Sequence, residues 1–263
     1  MAASRNKTAR PDAPSSRARR KQARRARLHR PWSRRLAGVL TRLMLVLLVA
    51  TLAVQGWFLV QVIWWKWNDP GPTRVMRAQL ERLRVDDPAF ELQHRWVAYD
   101  KISVHLKRAV IASEDARFTA HEGIDWGAIE QAYEDNRRRG RVVRGGSTIT
   151  MQLAKNLFLS AERSYLRKLQ ELILSYMLEA VLDKRRILEI YLNIAEWGVG
   201  VFGVQAAADH YYRLPAAALG PGQAATLAAM LPRPRHYDLN RDSESLQRRA
   251  ERVLRWMPQT AIP

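Results

Sequence analysis

The sequence predicts a mainly α-helical domain preceded by a single transmembrane helix. Three observations carry this reading. Positions 43–65 form an uncharged run of 23 residues. A series of later segments repeats its apolar residues with a helical period. Runs of alternating apolar and polar residues, the mark of strands, are nearly absent, apart from a short piece near 141–143.

Residues 1–42 hold 14 of the 44 Lys and Arg and one acid, Asp12, so +13 of the formal +19 lies there. The segment is rich in Arg, Ala, Ser and Pro, lacks apolar periodicity, and reads as a basic disordered tail. The uncharged run that follows sits between Arg42 and Lys66 and exceeds the roughly 20 residues a helix needs to cross a bilayer. Trp64, Trp65 and Trp67 suit an interface, and the cytoplasmic boundary falls between Leu36 and Leu43. A cleaved signal peptide would have a shorter apolar region and a small-residue cleavage site. The excess of basic residues before the helix predicts a cytoplasmic amino terminus and an extracytoplasmic remainder. A nucleic-acid role for the Arg-rich tail ranks below this topological one, because anionic lipid already accounts for basic residues beside a membrane span. Zero cysteines exclude disulfides, thiolate nucleophiles and Cys-ligated metals.

Residues 66–95 read as a linker and membrane-proximal segment, with Asp69-Pro70-Gly71-Pro72 as an exit turn. Residues 96–263 make up the main domain. Helices are expected near 104–113, 126–138, 148–158, 164–182, 184–196, 203–212, 222–231 and 243–257. Ser147 precedes the third, Gly198 follows the fifth and Pro232 follows the seventh.

The fourth of these helices is the most informative. Leu166, Leu169, Ile173, Met177 and Ala180 share one stripe, and Arg167, Lys168 and Glu171 gather opposite. Leu172, Leu174, Leu178 and Val181 then make the helix apolar nearly all round, which predicts an interior helix with its charged trio facing a cleft. An Arg167–Glu171 pair on an exposed first turn is the competing reading.

Upstream, Glu114 and Asp115 end an apolar run and lead through Phe118 and His121 to Gly123. Paired acids there suit either a catalytic carboxylate or a cap and loop salt bridge. His121 has no second histidine at ligand spacing, so packing or hydrogen bonding is its expected role. Gly145-Gly146-Ser147-Thr148 opens a helix that carries Gln152, Lys155 and Asn156. Free amides at such a helix start favour an anion, although a simply capped helix is the commoner case. The Gly-Lys-Ser/Thr order of a P-loop is missing. Gly198-Val-Gly200-Val-Phe-Gly203 lies between helices with no preceding strand, so it reads as turns and close packing rather than a dinucleotide fingerprint. Leu157-Phe158-Leu159 admits two readings, a membrane-embedded entry face or core packing.

Five segments in this order resemble the peptidoglycan glycosyltransferase family, whose domain also occurs in bifunctional penicillin-binding proteins. They are Glu-Asp-x-x-Phe-x-x-His-x-Gly at 114–123, Gly-Gly-Ser-Thr-Ile-Thr at 145–150, Arg-Lys-x-x-Glu at 167–171, Lys-x-x-Ile-Leu-Glu-x-Tyr-Leu-Asn at 184–193 and Gly-x-Gly-x-x-Gly at 198–203. The short chain with one anchor resembles the monofunctional biosynthetic form. No Lys-Thr-Gly is present, and the one Ser-x-x-Lys, Ser4 to Lys7, lies in the tail, so a transpeptidase is not expected. Two positions depart from the family pattern: Met151, where glutamine is commoner, and Gln223, where glutamate is usual.

The resemblance implies a lysozyme-like fold of two lobes around a cleft and polymerisation of lipid II into β-1,4-linked glycan by inversion. It implies Glu114 as the general base and Glu171 as the second essential carboxylate. Lys155, Arg167 and Lys168, with Ser147, Thr148, Gln152 and Asn156, would meet the pyrophosphate and donor. Asp115, Phe118, His121 and Gly123 would support the catalytic loop, while Glu189, Tyr191 and Asn193 would be structural. No cofactor is required by it, and a divalent cation, Mg2+ or Mn2+, has a place near the pyrophosphate. Implied partners are lipid II, the growing strand, the membrane and other cell-wall synthesis proteins, with no nucleic acid. The rival readings are a peptidoglycan-cleaving muramidase or lytic transglycosylase, which would have no pyrophosphate to stabilise with these cations, and a non-catalytic membrane-anchored scaffold.

Overall fold

A computed structural model describes residues 32–141, 145–159 and 164–263. The basic tail up to residue 31 and part of the strand expected near 141–143 lie outside the described residues. The chain divides into two compact units, Met1–Trp57 and Phe58–Pro263.

Helix α1, Trp32–Trp64, is a helix of 33 residues. Its stretch Leu36–Trp64 is long and apolar enough to cross a membrane. In the first unit its large apolar side chains, Leu43 to Trp57, stand exposed.

The second unit begins with the last turns of α1 and is mainly helical. Its further helices are α2 (Arg74–Asp86), α3 (Val104–Glu114), α4 (Trp126–Arg139), α5 (Ile149–Phe158), α6 (Tyr165–Val181), α7 (Lys184–Ile194), α8 (Val204–Tyr212), α9 (Pro221–Met230), α10 (Pro234–Leu239) and α11 (Glu244–Trp256). Helix α9 packs against α3 and α11, while α5 packs against α6 and α7. Side-chain caps start most of them: Asp125 accepts from the Ala128 amide, Ser164 from Arg167 and Asp183 from Arg186. The helix expected after Ser147 is capped one residue later, by Thr148, which accepts from Met151. Gln223, one of the departures from the family pattern, takes the third position of α9 and accepts the Gly220 amide at 2.9 Å, a bond a glutamate there would make equally. Met151, the other, is buried in α5.

Three features differ from the sequence reading. First, α2 lies inside the segment read as a linker. Second, strands occur at Gln93–His94 (β1), Glu196–Gly198 (β2) and Val201–Phe202 (β3). They form a sheet of order β1-β3-β2, with β1 parallel and β2 antiparallel to β3. Two- and three-residue strands carry no alternation to detect. The glycine-rich segment turns this hairpin: Gly200 has φ +72°, and a Cβ there would come within 2.6 Å of the Phe90 ring.

Third, α6 is not an interior helix. Tyr165, Leu166 and Leu169 are 97%, 80% and 55% exposed, and Ile173 and Tyr176 continue the exposed stripe. The buried face consists of Glu171, Leu174, Ser175 and Leu178.

Residues 157–159 resolve in favour of core packing. Phe158 is buried, with its ring 5.0 Å from Phe58 and 5.2 Å from Trp65. Val62 is fully buried as well. Arg186 closes the end of α1. Its guanidinium donates to Trp65 O (2.9 Å), Asn68 O (2.7 Å), Asp69 Oδ1 (2.9 Å) and Glu189 Oε2 (2.9 Å), and lies 5.5 Å from the Trp96 ring centre. A guanidinium suits this place because it brings a cation and five donors to the carbonyl end of a helix. Arg186→Met removes all four bonds and should lower stability by roughly 2–3 kcal/mol. Arg186→Lys should lie between the two. Denaturant unfolding in detergent micelles measures this, and an unchanged midpoint for Arg186→Met would show that the clamp holds nothing.

Candidate active site

Glu114 is the last residue of α3 and faces a cavity of about 680 Å³ lined also by Asp115, Arg117, Asp125, Ser147, Thr148 and Arg249. A neighbouring cavity of about 540 Å³ is lined by Lys155, Asn156, Arg167, Lys168, Glu171 and Tyr191. Both share Ser147, Gln152 and Pro232. The site is therefore one continuous cleft with a carboxylate side and a cationic side, which meet at Gln152.

On the carboxylate side, Gln152 Nε2 donates to Glu114 Oε2 at 2.8 Å, and Tyr191 donates to Gln152 Oε1 at 3.0 Å. Burial pushes the Glu114 carboxyl above the usual glutamate range, against the Gln152 bond, Arg249, Ser113 and Lys155, which pull it down. Glu114 retains partial exposure to the cavity. It thus combines contact with a ligand space and a raised proton affinity.

Asp115 borders the same cavity, but its carboxylate is engaged within the protein. It is buried, accepts from His121 Nε2 at 2.9 and 3.1 Å, and accepts the Ile149 amide at 3.0 Å. Thr148 donates to Gly123 O at 2.5 Å while capping α5. The Ile149 amide and the Thr148 hydroxyl at the start of α5 are thereby engaged by protein, as in a capped helix. Gly123 has φ +83°, and a Cβ would meet the Glu179 side chain at 2.8 Å. Phe118 is fully buried, edge-on to His121 at 6.5 Å, with the Lys184 ammonium 4.5 Å from its ring centre.

On the cationic side, Glu171 is 3% exposed. Arg167 Nη1 donates to its Oε2 at 2.9 Å and Lys168 Nζ to its Oε1 at 2.6 Å. The i, i+4 pair forms, but with Glu171 buried and facing the cleft rather than on an exposed turn, so of the two sequence readings of the trio the cleft-facing one holds. Lys168 also reaches Ser147 Oγ at 3.5 Å. Lys155 lines the cavity, open to solvent along its stem, and makes no ion pair among the described residues. Its enclosure lowers the proton affinity of the ammonium; Glu171 and Glu114 oppose this, and Arg167 and Lys168 add to it. Of the four expected donor-site polar residues, Ser147, Gln152 and Asn156 line this cavity, whereas Thr148 lies on the carboxylate side with its hydroxyl already bonded.

Glu189 and Asn193 bond the backbone of Tyr99 and Val97 and so brace the chain before α3. Arg249 is a cleft residue that the sequence reading misses. Its Nε donates to Ala229 O at 3.3 Å. The signal for it was present: Arg249 lies in helical phase with Leu246 and Val253, the buried residues of α11.

Residues 82–258 match the family model described as Transglycosylase, which covers more than half of the chain. A biosynthetic peptidoglycan transglycosylase of Bordetella pertussis (strain Tohama I) is 55% identical over 240 residues, covering 89% of this chain and 99% of that protein. Proteins of the same name from Janthinobacterium sp. (strain Marseille) and Methylobacillus flagellatus are 55% and 50% identical, each covering 84% of this chain and 96% of the relative. With its motif residues gathered in one cleft and these relatives aligned over most of its length, the chain belongs to the transglycosylase family.

Proposed function

We propose that this protein polymerises lipid II into peptidoglycan glycan strands, anchored by α1 with its amino terminus in the cytoplasm and its catalytic domain on the outer face of the inner membrane. The observation that carries the reading is the division of one cleft into a buried carboxylate and a cluster of cations. A sugar hydroxyl needs a base as it attacks, and a pyrophosphate leaving group needs fixed positive charge. Hydrolysis of a neutral glycan needs no such cluster.

Glu114 is the base. It takes the proton of the acceptor hydroxyl as that oxygen bonds to the anomeric carbon of the donor. The bond from this carbon to the pyrophosphate oxygen breaks, and the electron pair leaves with the pyrophosphate. Single displacement inverts the α-linked donor to a β-1,4 product, as in inverting glycosidases with a sugar in place of water. Lys155, Arg167 and Lys168 receive the departing charge. Glu171 acts as a positioning residue: its two oxygens hold Arg167 and Lys168 at 2.9 and 2.6 Å. The donor set around Glu171 does not fit a protein-held divalent ion. Both its oxygens already face cations, and among the described residues no group of three or more His, Cys, Asp or Glu converges. No step is therefore routed through a metal.

The membrane contact of the domain belongs to the exposed stripe of α6, Tyr165, Leu166, Leu169, Ile173 and Tyr176, rather than to residues 157–159. The same helix holds the pyrophosphate cations on its other face, which suits a substrate whose lipid tail remains in the bilayer.

Glu114→Gln keeps the size and hydrogen bonding of the side chain but accepts no proton. Polymerisation, followed by glycan gel electrophoresis, should fall ~10²–10⁴-fold, while undecaprenyl pyrophosphate binding stays near wild type. A wild-type rate in this variant would remove Glu114 as the base. In the native protein the base form is lost as pH falls through the raised Glu114 value, so the acid limb of kcat/KM should lie above the ordinary glutamate range. Lys155→Ala should weaken both turnover and undecaprenyl pyrophosphate binding. Glu171→Gln should lower turnover strongly with a smaller loss of binding, and equal losses in both variants would contradict the positioning role. Leu166→Ser with Leu169→Ser should reduce liposome binding of the domain without changing its unfolding midpoint. Unaltered binding would move the membrane contact elsewhere.

A further inference from the structure

Tyr191 lies on α7, which supplies nothing to the chemistry above, and its motif reads as structural. The residue is 1% exposed, yet it borders the cation-lined cavity and its hydroxyl bonds to Gln152 Oε1 at 3.0 Å. The other end of the same amide bonds to Glu114 Oε2 at 2.8 Å. We propose that Tyr191 is a positioning residue that, acting through Gln152, holds Glu114 in its ionised, proton-accepting form. This rests on the glycosyl-transfer reading of the site.

Donor direction carries the inference. An ionised carboxylate only accepts, so Gln152 must turn its NH2 group toward Glu114. Its carbonyl oxygen then faces Tyr191, whose hydroxyl donates to it. Neutral Glu114 keeps an acceptor oxygen, so the bond from the Gln152 NH2 survives protonation but loses its charge assistance, and the acid's own proton reaches the amide carbonyl only if the amide turns over. In that turned arrangement the NH2 would point at the Tyr191 oxygen and leave the phenolic proton without an acceptor. Among the described residues, Gln152 is the partner of that hydroxyl. Stranding a buried donor costs free energy, so Tyr191 keeps the amide NH2 turned toward Glu114, where its bond to the ionised carboxylate is the stronger one. The chain Tyr191, Gln152, Glu114 therefore opposes the effect of burial on the base.

The other groups facing Glu114 are fixed charges or neutral donors. Arg249 comes from α11, Lys155 from α5 and the Ser113 hydroxyl from α3. Asp115 is adjacent but is bonded to His121 and the Ile149 amide. Tyr191 itself remains a donor across the working range: burial first, then Glu114 and Asp115, holds its hydroxyl well above the ordinary tyrosine value. Phe at this position would fill the same space and lose only the direction of the amide.

The test is the pH dependence of kcat/KM for lipid II polymerisation by the full-length protein in detergent micelles. Tyr191→Phe should raise the acid limb by about one to two pH units, with rates approaching wild type at the alkaline end. Gln152→Met should raise the limb as well, and the double variant should move it no further than Gln152→Met alone, because Tyr191 acts through the amide. Unfolding midpoints and undecaprenyl pyrophosphate binding report whether each variant is folded. A Tyr191→Phe rate lowered by one factor at every pH, or shifts that add in the double variant, would overturn the proposal. If Tyr191→Phe does not fold, Gln152→Met decides alone, and an unmoved limb there overturns it. A wild-type protein that makes no polymer would instead reject the glycosyl-transfer reading, whereas a polymerising wild type whose limb is shared by Tyr191→Phe rejects only the role of Tyr191.

Discussion

The geometry of the cleft depends on one buried carboxylate, that of Asp115. Helix α3 ends and α5 begins at points far apart in the chain, and nothing covalent fixes their spacing. A carboxylate out of water requires donors, and Asp115 finds them in the amide that opens α5 and in the ring of His121. The bond to Ile149 also sets a negative charge at the positive end of the α5 dipole. Because Glu114 is the neighbouring residue, tying Asp115 to the first amide of α5 fixes Glu114 relative to Gln152 and Lys155 further along that helix. The Thr148 bond to Gly123 is a second tie between the same two segments. In this arrangement the acid pair divides its labour: one carboxylate is consumed in holding the frame, and the other is left facing the cavity.

Most helices were legible because their periodicity spans several turns and their ends carry caps. The motif acids and cations were legible as well, since charged residues interrupt apolar segments at Glu114 and at Arg167 to Glu171. The sheet was not, because strands of two or three residues have no period to read. The outward stripe of α6 was misjudged for a different reason. Periodicity distinguishes two faces of a helix but does not say which of them meets protein. Leu166 and Leu169 looked like core and stand exposed, whereas Glu171, on the face read as opening to a cleft, is buried. Arg249 escaped because a single arginine in phase with a buried stripe resembles a surface residue until Leu246 and Val253 are known to face inward.

The electrostatics follow the same division. The cationic side is lined by three basic residues and two acids, Glu171 and Glu196, and Glu196 is paired with Arg235, so basic residues remain in excess. Glu171 neutralises part of that charge while fixing two of the cations at 2.6 and 2.9 Å. Long basic side chains lose rotamer freedom when they order around a ligand. In the proposed reaction, holding Arg167 and Lys168 in advance would remove part of that cost when a pyrophosphate arrives. Lys155 makes no ion pair among the described residues and remains available to it. Preorganised charge of this kind acts where the leaving group develops its own, which is where it lowers a barrier rather than merely tightening ground-state binding.

The end of α1 takes part in the same frame. Phe158, which meets Phe58 and Trp65, closes the helix that carries Lys155 one turn earlier. Arg186 secures the carbonyls after Trp64 to α7, the helix that carries Tyr191. Within the second unit these contacts join residues 58–68 to α5 and α7, the helices on which Lys155 and Tyr191 lie.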